Sequence, residues 1–199
     1  SEEAADEVAA RCAANRVWII DPVDGTWEYQ AGRPNWSIHI AVWNTSSQCF
    51  DAAAVIAPDM ARLNTPARRG AMVIVRAQMG EQVEADLAAG ALGATIVRAP
   101  SAGAKTWMVL NGHADAYIAK SGLAEWDLAA PVGAALQAGL CCSDHAGNAL
   151  TFNNASPRLP GFVIATPDVH QQVIDALHPT TNRSRGRAGR GRRGRDGLP

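Results

Sequence analysis

The chain has 199 residues, of which 47% are hydrophobic, and a formal net charge of −1 at pH 7. This is enough for one domain, or two small ones, with a substantial core. No apolar run approaches the roughly 18 residues that a membrane span needs, and no charged-then-apolar leader is present, so we expect neither membrane insertion nor export.

Strand and helix patterns alternate along the chain, which predicts an α/β protein with layered helices and sheets. Gly139 is expected to end one helix in the left-handed conformation, and Pro131 to lie near the first turn of that helix, where proline is tolerated best. The predicted strands cover residues 17–20, 36–43, 52–56, 71–76, 95–98, 114–119 and 162–165. The predicted helices cover residues 4–15, 80–91, 103–111, 127–138 and 169–177, with a loop over 59–70.

The near-neutral total charge hides two oppositely charged parts. From Thr180 onward seven arginines stand against one acidic residue, which leaves 11 basic and 18 acidic residues, a net of −7, in the rest of the chain. We expect residues 179–199 to be a disordered Arg/Gly-rich tail, because they lack apolar residues that could anchor them. The tail either binds nucleic acid or has no partner. Elsewhere we do not expect nucleic-acid binding.

The four cysteines, Cys12, Cys49, Cys141 and Cys142, show neither a C-x-x-C pair nor zinc-ligand spacing. We therefore predict reduced thiols and a cytoplasmic location.

The most informative segment is R-V-W-I-I-D-P-V-D-G-T, at residues 16–26. An apolar strand delivers Asp21 and Asp24 onto a tight turn, and Gly25 and Thr26 follow at once. Carboxylates three positions apart suit a hard cation such as Mg²⁺, and glycine lets the backbone approach a phosphate closely. Asp-Pro and Asp-Gly pairs are also ordinary turn chemistry, so the motif alone leaves a structural interpretation open.

Two further acidic clusters accompany this motif: S-E-E at residues 1–3 and E-W-D-L-A-A at 125–130. In this order the three clusters resemble the signature of the inositol monophosphatase superfamily of Mg²⁺-dependent, lithium-sensitive phosphatases. The resemblance covers about residues 1–178. It implies an αβαβα sandwich whose first helices would precede residue 1, so we expect an N-terminally truncated phosphatase domain. An inactive fragment stays open as an alternative.

The resemblance also implies a metal site. Glu2 matches the glutamate that binds the first metal ion, and Asp21 the aspartate that bridges ions. Val23 would contribute its backbone carbonyl, and Asp24 and Asp127 would hold the second ion. About two or three Mg²⁺ ions would activate a water molecule for attack on a phosphate. The carboxylate of Asp127 has an alternative role as a helix cap.

For the substrate, P-S-A-G-A-K at residues 100–105 resembles the G-S-x-x-x-K segment of CysQ-type 3′(2′),5′-bisphosphate nucleotidases of actinobacteria. A lysine there adds a charge suited to a second phosphate, which implies 3′-phosphoadenosine 5′-phosphate, a by-product of sulfate assimilation, as the substrate. Pro100 departs from the usual glycine, Lys105 also fits a surface lysine at a helix start, and inositol 1-phosphate or fructose 1,6-bisphosphate stay open. The implied catalytic residues are Glu2, Asp21 and Thr26, and the implied substrate-binding residues are Asp24, Gly25, Thr26, Ser101, Lys105 and Asp127.

Three residues have plainer predictions. Glu3 is either beside the metal site or simply solvated. His39 stands in an apolar strand and is expected to be a satisfied core or edge histidine, and Trp126 is expected to pack in the core. Because superfamily members are often dimers, the resemblance allows a homodimer. The expected partner is a small phosphorylated metabolite, not a membrane.

Overall fold

The strands that the structure describes form two sheets. A computed structural model describes residues 4–57, 72–77 and 83–178. The first sheet is antiparallel, and its three strands are neighbours in space in the same order as along the chain. They are β1, Arg16–Asp24; β2, Ser37–Asn44; and β3, Cys49–Ile56.

The second sheet is mixed. Its strands are β4, Val73–Ala77; β5, Thr95–Ala99; β6, Ala116–Ala119; β7, Cys141–Asp144; and β8, Phe162–Ala165. Their order in space is β5-β4-β6-β8-β7, with β4 parallel to β5 and β6, and β8 antiparallel to β6 and β7. β6 and β8 are buried along their whole length, as expected where helices cover both faces of a sheet.

The helices of the described residues separate and cover these sheets. They are α1, Ala5–Ala13; α2, Thr26–Gln30; α3, Val83–Leu92; α4, Ala102–Leu110; α5, Glu125–Gln137; and α6, Pro167–Leu177. α4 and α5 pack together between the sheets, and α3 and α6 pack together on the other face of the mixed sheet. This sheet–helix–sheet–helix order confirms the predicted layered α/β fold. None of these helices is long and apolar enough to cross a membrane.

Two hydrophobic cores hold the layers together. The larger lies around the central helices and contains Trp43, Leu128 and Phe162. The smaller lies between the mixed sheet and the outer helices, around Ile118 and Val173. Each fully buried side chain of this size contributes on the order of 1.5–3 kcal/mol, so packing of the sheets onto α4 and α5 is a main source of stability at the site described below.

Most predicted elements are confirmed with shifted ends, and two elements were missed. α2 follows directly from the turn at Gly25, and its five residues are too few to show a helical period. β7 is only C-C-S-D and pairs with β8 alone, so it lacks both length and alternation. Gly139 follows α5 with a φ of +82°, as predicted. The predicted loop 59–70, residue 71 and residues 80–82 lie outside the described residues.

The prediction for Pro131 was wrong. α5 begins at Glu125, so Pro131 is its seventh residue and lies beyond the first turn. Because proline has no backbone N–H, it cannot donate to the carbonyl four residues earlier, which is that of Asp127. α5 therefore lacks the internal hydrogen bond to the backbone carbonyl of Asp127, which is a residue of the predicted metal site.

Candidate active site

A β-bulge at the end of β1 brings the two aspartates of the D-P-V-D motif onto one face. Asp21 pairs with His39 and Asp24 pairs with Ser37, so four residues of β1 lie opposite three of β2. Side chains alternate along a strand, and without the extra residue these aspartates would face opposite sides. Pro22 is tolerated here because β1 has only β2 as a strand neighbour among the described residues.

The turn after the bulge requires glycine. Gly25 has a φ of +87°, and a Cβ there would lie 3.1 Å from the Asn35 carbonyl oxygen and 3.3 Å from Ser101 Cβ. A side chain would therefore be strained in its backbone and crowded. Thr26 begins α2 and is exposed. The turn thus lies against Ser101, with Gly25 half-buried and Thr26 exposed.

Asp24 is buried and firmly held by its neighbours. Its Oδ2 accepts hydrogen bonds from the Gly103 amide at 2.9 Å and from Ser37 Oγ at 3.2 Å. His39 Nε2 lies 3.3 Å from the same oxygen. Burial by itself raises the pKa of Asp24, but His39, the Gly103 amide and the charge of Lys105 outweigh burial and bring the pKa below its usual value. Asp24 is therefore ionised at neutral pH.

Asp21 and Asp127 have the opposite shift. Asp21 Oδ1 accepts from the Val23 amide at 3.0 Å, and Asp127 Oδ2 accepts from the Ala124 amide at 3.0 Å, which confirms the capping contact predicted for Asp127. Burial raises the pKa of both carboxyls, and the charge of Asp24 raises each further. These aspartates, far apart in sequence, thus share one electrostatic environment with excess negative charge.

This donor set fits a hard divalent cation. The side-chain donors are carboxylates, which Mg²⁺ prefers, and the raised pKa values of Asp21 and Asp127 mark a place where added positive charge is favourable. Within residues 4–57, 72–77 and 83–178, no three His, Cys, Asp or Glu side chains are close enough together to hold an ion. Glu2, the remaining predicted ligand, and Glu3 lie outside the described residues.

The S-A-G-A-K segment forms the first turn of α4. Ser101 is the N-cap, and its Oγ accepts from the Ala104 amide at 2.9 Å. Lys105 Nζ donates to the carbonyl oxygens of Ser101, at 2.7 Å, and Pro100, at 3.1 Å. The lysine thereby ties down the loop that carries Ser101, which adjoins Gly25.

Lys105 is not a surface residue, so that alternative was wrong. It is 3% exposed, and its Nζ lies 5.1 Å from the centre of the Tyr117 ring. Burial lowers the pKa of Lys105 to about 8, although the negative charges of Asp24 and Asp127 partly oppose the shift. The buried ammonium group of Lys105 therefore interacts electrostatically with Asp24 and Asp127.

In the E-W-D motif the structure buries the glutamate instead of the tryptophan. Trp126 is 38% exposed with the Arg158 guanidinium 6.0 Å from its ring centre, so the core-packing prediction was wrong. Glu125 is buried, and its carboxylate accepts from the backbone amides of Asn153, at 2.8 Å, and Asn154, at 2.9 Å. Glu125 thus anchors the start of α5, from which Asp127 projects.

The contacts of Ser37, His39 and Gly103 with Asp24 were not predicted from the sequence. His39 is fully buried, as expected, but its Nδ1 has no hydrogen-bond partner among the described residues and its Nε2 contacts the site. The available signal was the W-S-I-H alternation, which places two polar residues on one face of an otherwise apolar strand. That signal does not name the partner, because Asp24 and Gly103 come from other elements.

Comparison with known proteins agrees with the geometry. The model of the inositol monophosphatase family matches residues 1–78 and 71–182. A Mycobacterium bovis protein named 3′-phosphoadenosine 5′-phosphate phosphatase is 36% identical over 195 residues, which cover 89% of this chain and 72% of the relative.

Solved structures share the fold at low identity. CysQ from Bacteroides thetaiotaomicron, a bacterial member of the inositol monophosphatase family, aligns with a TM-score of 0.63 at 19% identity, over 80% of this chain and 73% of the other. An IMPase/NADP phosphatase complexed with Mg²⁺ and phosphate aligns with a TM-score of 0.59 at 20% identity, over 91% of this chain and 72% of the other.

Proposed function

The chain belongs to the inositol monophosphatase family, and from that premise we propose that it is a Mg²⁺-dependent phosphomonoesterase that hydrolyses 3′-phosphoadenosine 5′-phosphate. The observation that carries the reaction class is the electrostatic coupling of Asp21, Asp24 and Asp127 beside the turn at Gly25. The substrate is favoured by the 36% identity with relatives named for it, which extends over 89% of the chain.

The carboxylates divide the metal-binding task. We assign Glu2, Asp21 and Asp127, the Val23 carbonyl and the firmly held Asp24 as the groups that hold Mg²⁺. When bound, about two or three Mg²⁺ ions supply activation of a water molecule and neutralisation of charge on the phosphoryl oxygens. The protein supplies the fixed placement of these oxygens on β1 and α5.

The turn residues bind the phosphate and orient the attacking water. The positive φ of Gly25 leaves the amides of Gly25 and Thr26 free to face an anion, since no side chain intervenes. Thr26 is exposed, so its hydroxyl is available to orient the water in line with the phosphorus. We therefore assign Thr26 as a catalytic residue together with Glu2 and Asp21.

Ser101 and Lys105 are assigned to substrate preference. Their loop lies against Gly25, and the buried ammonium fixes the Pro100 and Ser101 carbonyls. The charge of Lys105 also adds positive potential for a substrate with two phosphates. Lys105→Ala should therefore reduce kcat/KM for the bisphosphorylated nucleotide more than for inositol 1-phosphate.

The location and partners follow from the same proposal. All four cysteines are free thiols, which supports a reducing cytoplasm. The substrate is a small phosphorylated metabolite. A homodimer, and nucleic-acid binding by the Arg/Gly tail, which lies outside the described residues, stay predictions of the sequence.

The test is phosphate release from 3′-phosphoadenosine 5′-phosphate, inositol 1-phosphate and fructose 1,6-bisphosphate, each with Mg²⁺ and with or without Li⁺. We expect Mg²⁺-dependent, Li⁺-sensitive release with the highest kcat/KM for the nucleotide. Asp21→Asn is the matched control, because it changes one carboxylate and should abolish release. A higher kcat/KM for inositol 1-phosphate than for the nucleotide would contradict the proposed substrate. Full activity of Asp21→Asn would contradict the proposed active site.

A further inference from the structure

Among the described residues, the hydrogen bonds and the ion pair of Asp24 are all made through one oxygen. The Gly103 amide, Ser37 Oγ and His39 Nε2 approach Oδ2 at 2.9, 3.2 and 3.3 Å. No hydrogen bond or ion pair from the part of the chain that the structure describes reaches Oδ1. A carboxylate held in this way cannot rotate without breaking several contacts, so its second oxygen has a defined direction.

The positions of the Ser37 hydroxyl proton and the His39 ring proton follow from which groups can donate and which can only accept. The Ser37 hydroxyl has one proton and donates it to Asp24 Oδ2, so its oxygen must accept from His39 Nε2, 3.0 Å away. His39 therefore carries a proton on Nε2, and its Nδ1 has no hydrogen-bond partner among the described residues.

The surroundings of Ser37 and His39 are closely packed. Ser37 and His39 are both fully buried. A Cβ on Gly103 would overlap Ser37 Oγ and would lie 2.8 Å from His39 Nε2. The first turn of α4 thus presses its backbone directly onto these two side chains, and only glycine permits that approach.

We propose that Ser37 and His39 are positioning residues for Asp24: through a His39–Ser37–Asp24 hydrogen-bond chain they hold Oδ2 and leave Oδ1 for a divalent cation. This inference rests on the proposed function, because it takes Asp24 as a metal ligand. Groups that fix metal-binding carboxylates or histidines in this way typically change metal affinity by roughly 10- to 100-fold when they are removed.

The direct test is binding of Mn²⁺, a cation for the same oxygen ligands that electron paramagnetic resonance detects when it is free in solution. The variants are His39→Leu, which removes the donor and keeps an apolar side chain, Ser37→Ala, and His39→Gln, whose amide can place an N–H near the imidazole Nε2 position. Binding is measured well below each variant's Tm, so that only folded protein is compared.

The chain offers a matched control in a second Ser–His pair, whose serine is buried and whose histidine is half-buried. Ser143, on β7, is 3% exposed, and its Oγ lies 2.9 Å from His170 Nε2. Ser143→Ala also removes a buried hydroxyl from a histidine, but in the other sheet. It therefore reports the cost of losing such a pair without any effect on Asp24.

We expect the Kd for Mn²⁺ to rise roughly 10- to 100-fold in His39→Leu and Ser37→Ala, to stay near its original value in His39→Gln, and to be unchanged in Ser143→Ala. In phosphate release, KM for Mg²⁺ should rise while kcat at saturating Mg²⁺ is largely retained. An unchanged Kd in both Ser37→Ala and His39→Leu, with tight binding by the unaltered chain, overturns the positioning role alone. Absence of Mn²⁺ binding by the unaltered chain overturns the proposed function as well.

Discussion

Asp24 differs from Asp21 and Asp127, although the three carboxylates belong to one site. Asp24 is enclosed between β2 and α4, where several donors lower its pKa. Asp21 and Asp127 each accept from a nearby backbone amide, and burial with mutual repulsion raises their pKa values. The protein therefore holds Asp24 through its Oδ2, whereas Asp21 and Asp127 keep raised pKa values that a nearby cation would lower.

In the proposed metal site, the two kinds of carboxylate would contribute to cation binding in different ways. A fixed carboxylate lowers the entropy that must be lost when a cation binds, and carboxylates with raised pKa values supply the favourable electrostatic energy. Stability and metal affinity should consequently respond in different ways to changes in the two groups.

The largest effect is expected on phosphate release. Asp24→Asn and Asp127→Asn should each reduce kcat/KM at least about 100-fold, because each removes a charged oxygen from the metal site. Asn15→Asp, a charge change at an exposed position of the same fold, is the control and should leave activity unchanged. Retention of full activity by either aspartate variant would contradict the assignment of that residue.

A smaller effect concerns the buried cation. The pKa of Lys105 falls from 10.5 to about 8 on folding, so between these pH values the unfolded chain binds more protons than the folded chain. The free energy of unfolding should therefore rise from pH 8 to pH 10.5, by up to about 3 kcal/mol, relative to Lys105→Met. Urea unfolding without metal measures this difference. The exposed Lys120→Met should follow the unaltered chain, and a Lys105→Met curve that also follows it would refute the prediction.

The next effect tests the contact between α4 and the Asp24 pocket. Gly103→Ala should destabilise the protein by about 1–3 kcal/mol, because the new Cβ collides with Ser37 and His39. Gly90→Ala is the control, since a Cβ there meets nothing within 4 Å, and it should stabilise α3 by about 0.5–1 kcal/mol. Chemical unfolding of both variants decides the matter. Equal changes would show that the close approach at Gly103 carries no energetic weight.

The smallest effect has opposite signs in the two kinds of carboxylate. In metal-free protein at neutral pH, Asp127→Asn should raise the free energy of unfolding by less than about 1 kcal/mol, because it removes an ionised form that folding disfavours. Asp24→Asn should lower it, because Asp24 contributes stability above its unfolded pKa that is lost as the pH falls through the folded value. Thermal unfolding without metal gives both signs, and a shared sign would remove the distinction between the groups.

Much of the fold could be predicted from the sequence because its signals are local. The alternation in W-S-I-H-I-A-V-W and the β-rich run around Ile164 predicted β2 and β8 with nearly correct ends. Pro131 was misplaced because the start of α5 depends on Glu125, whose carboxylate is fixed by the amides of Asn153 and Asn154. No local pattern reports a partner so distant in the chain.

By itself the sequence determined most of the order of strands and helices, the D-P-V-D-G-T turn and the acidic residues proposed for the site, since these depend on side-chain period, glycine conformation and residue type. Only the tertiary structure decided which carboxylate is held and which are left with raised pKa values. The reason is that Ser37, His39, Gly103 and Lys105 reach Asp24 from β2 and α4. Burial and electrostatic coupling of this kind arise from packing between elements, and they have no signature within any one of them.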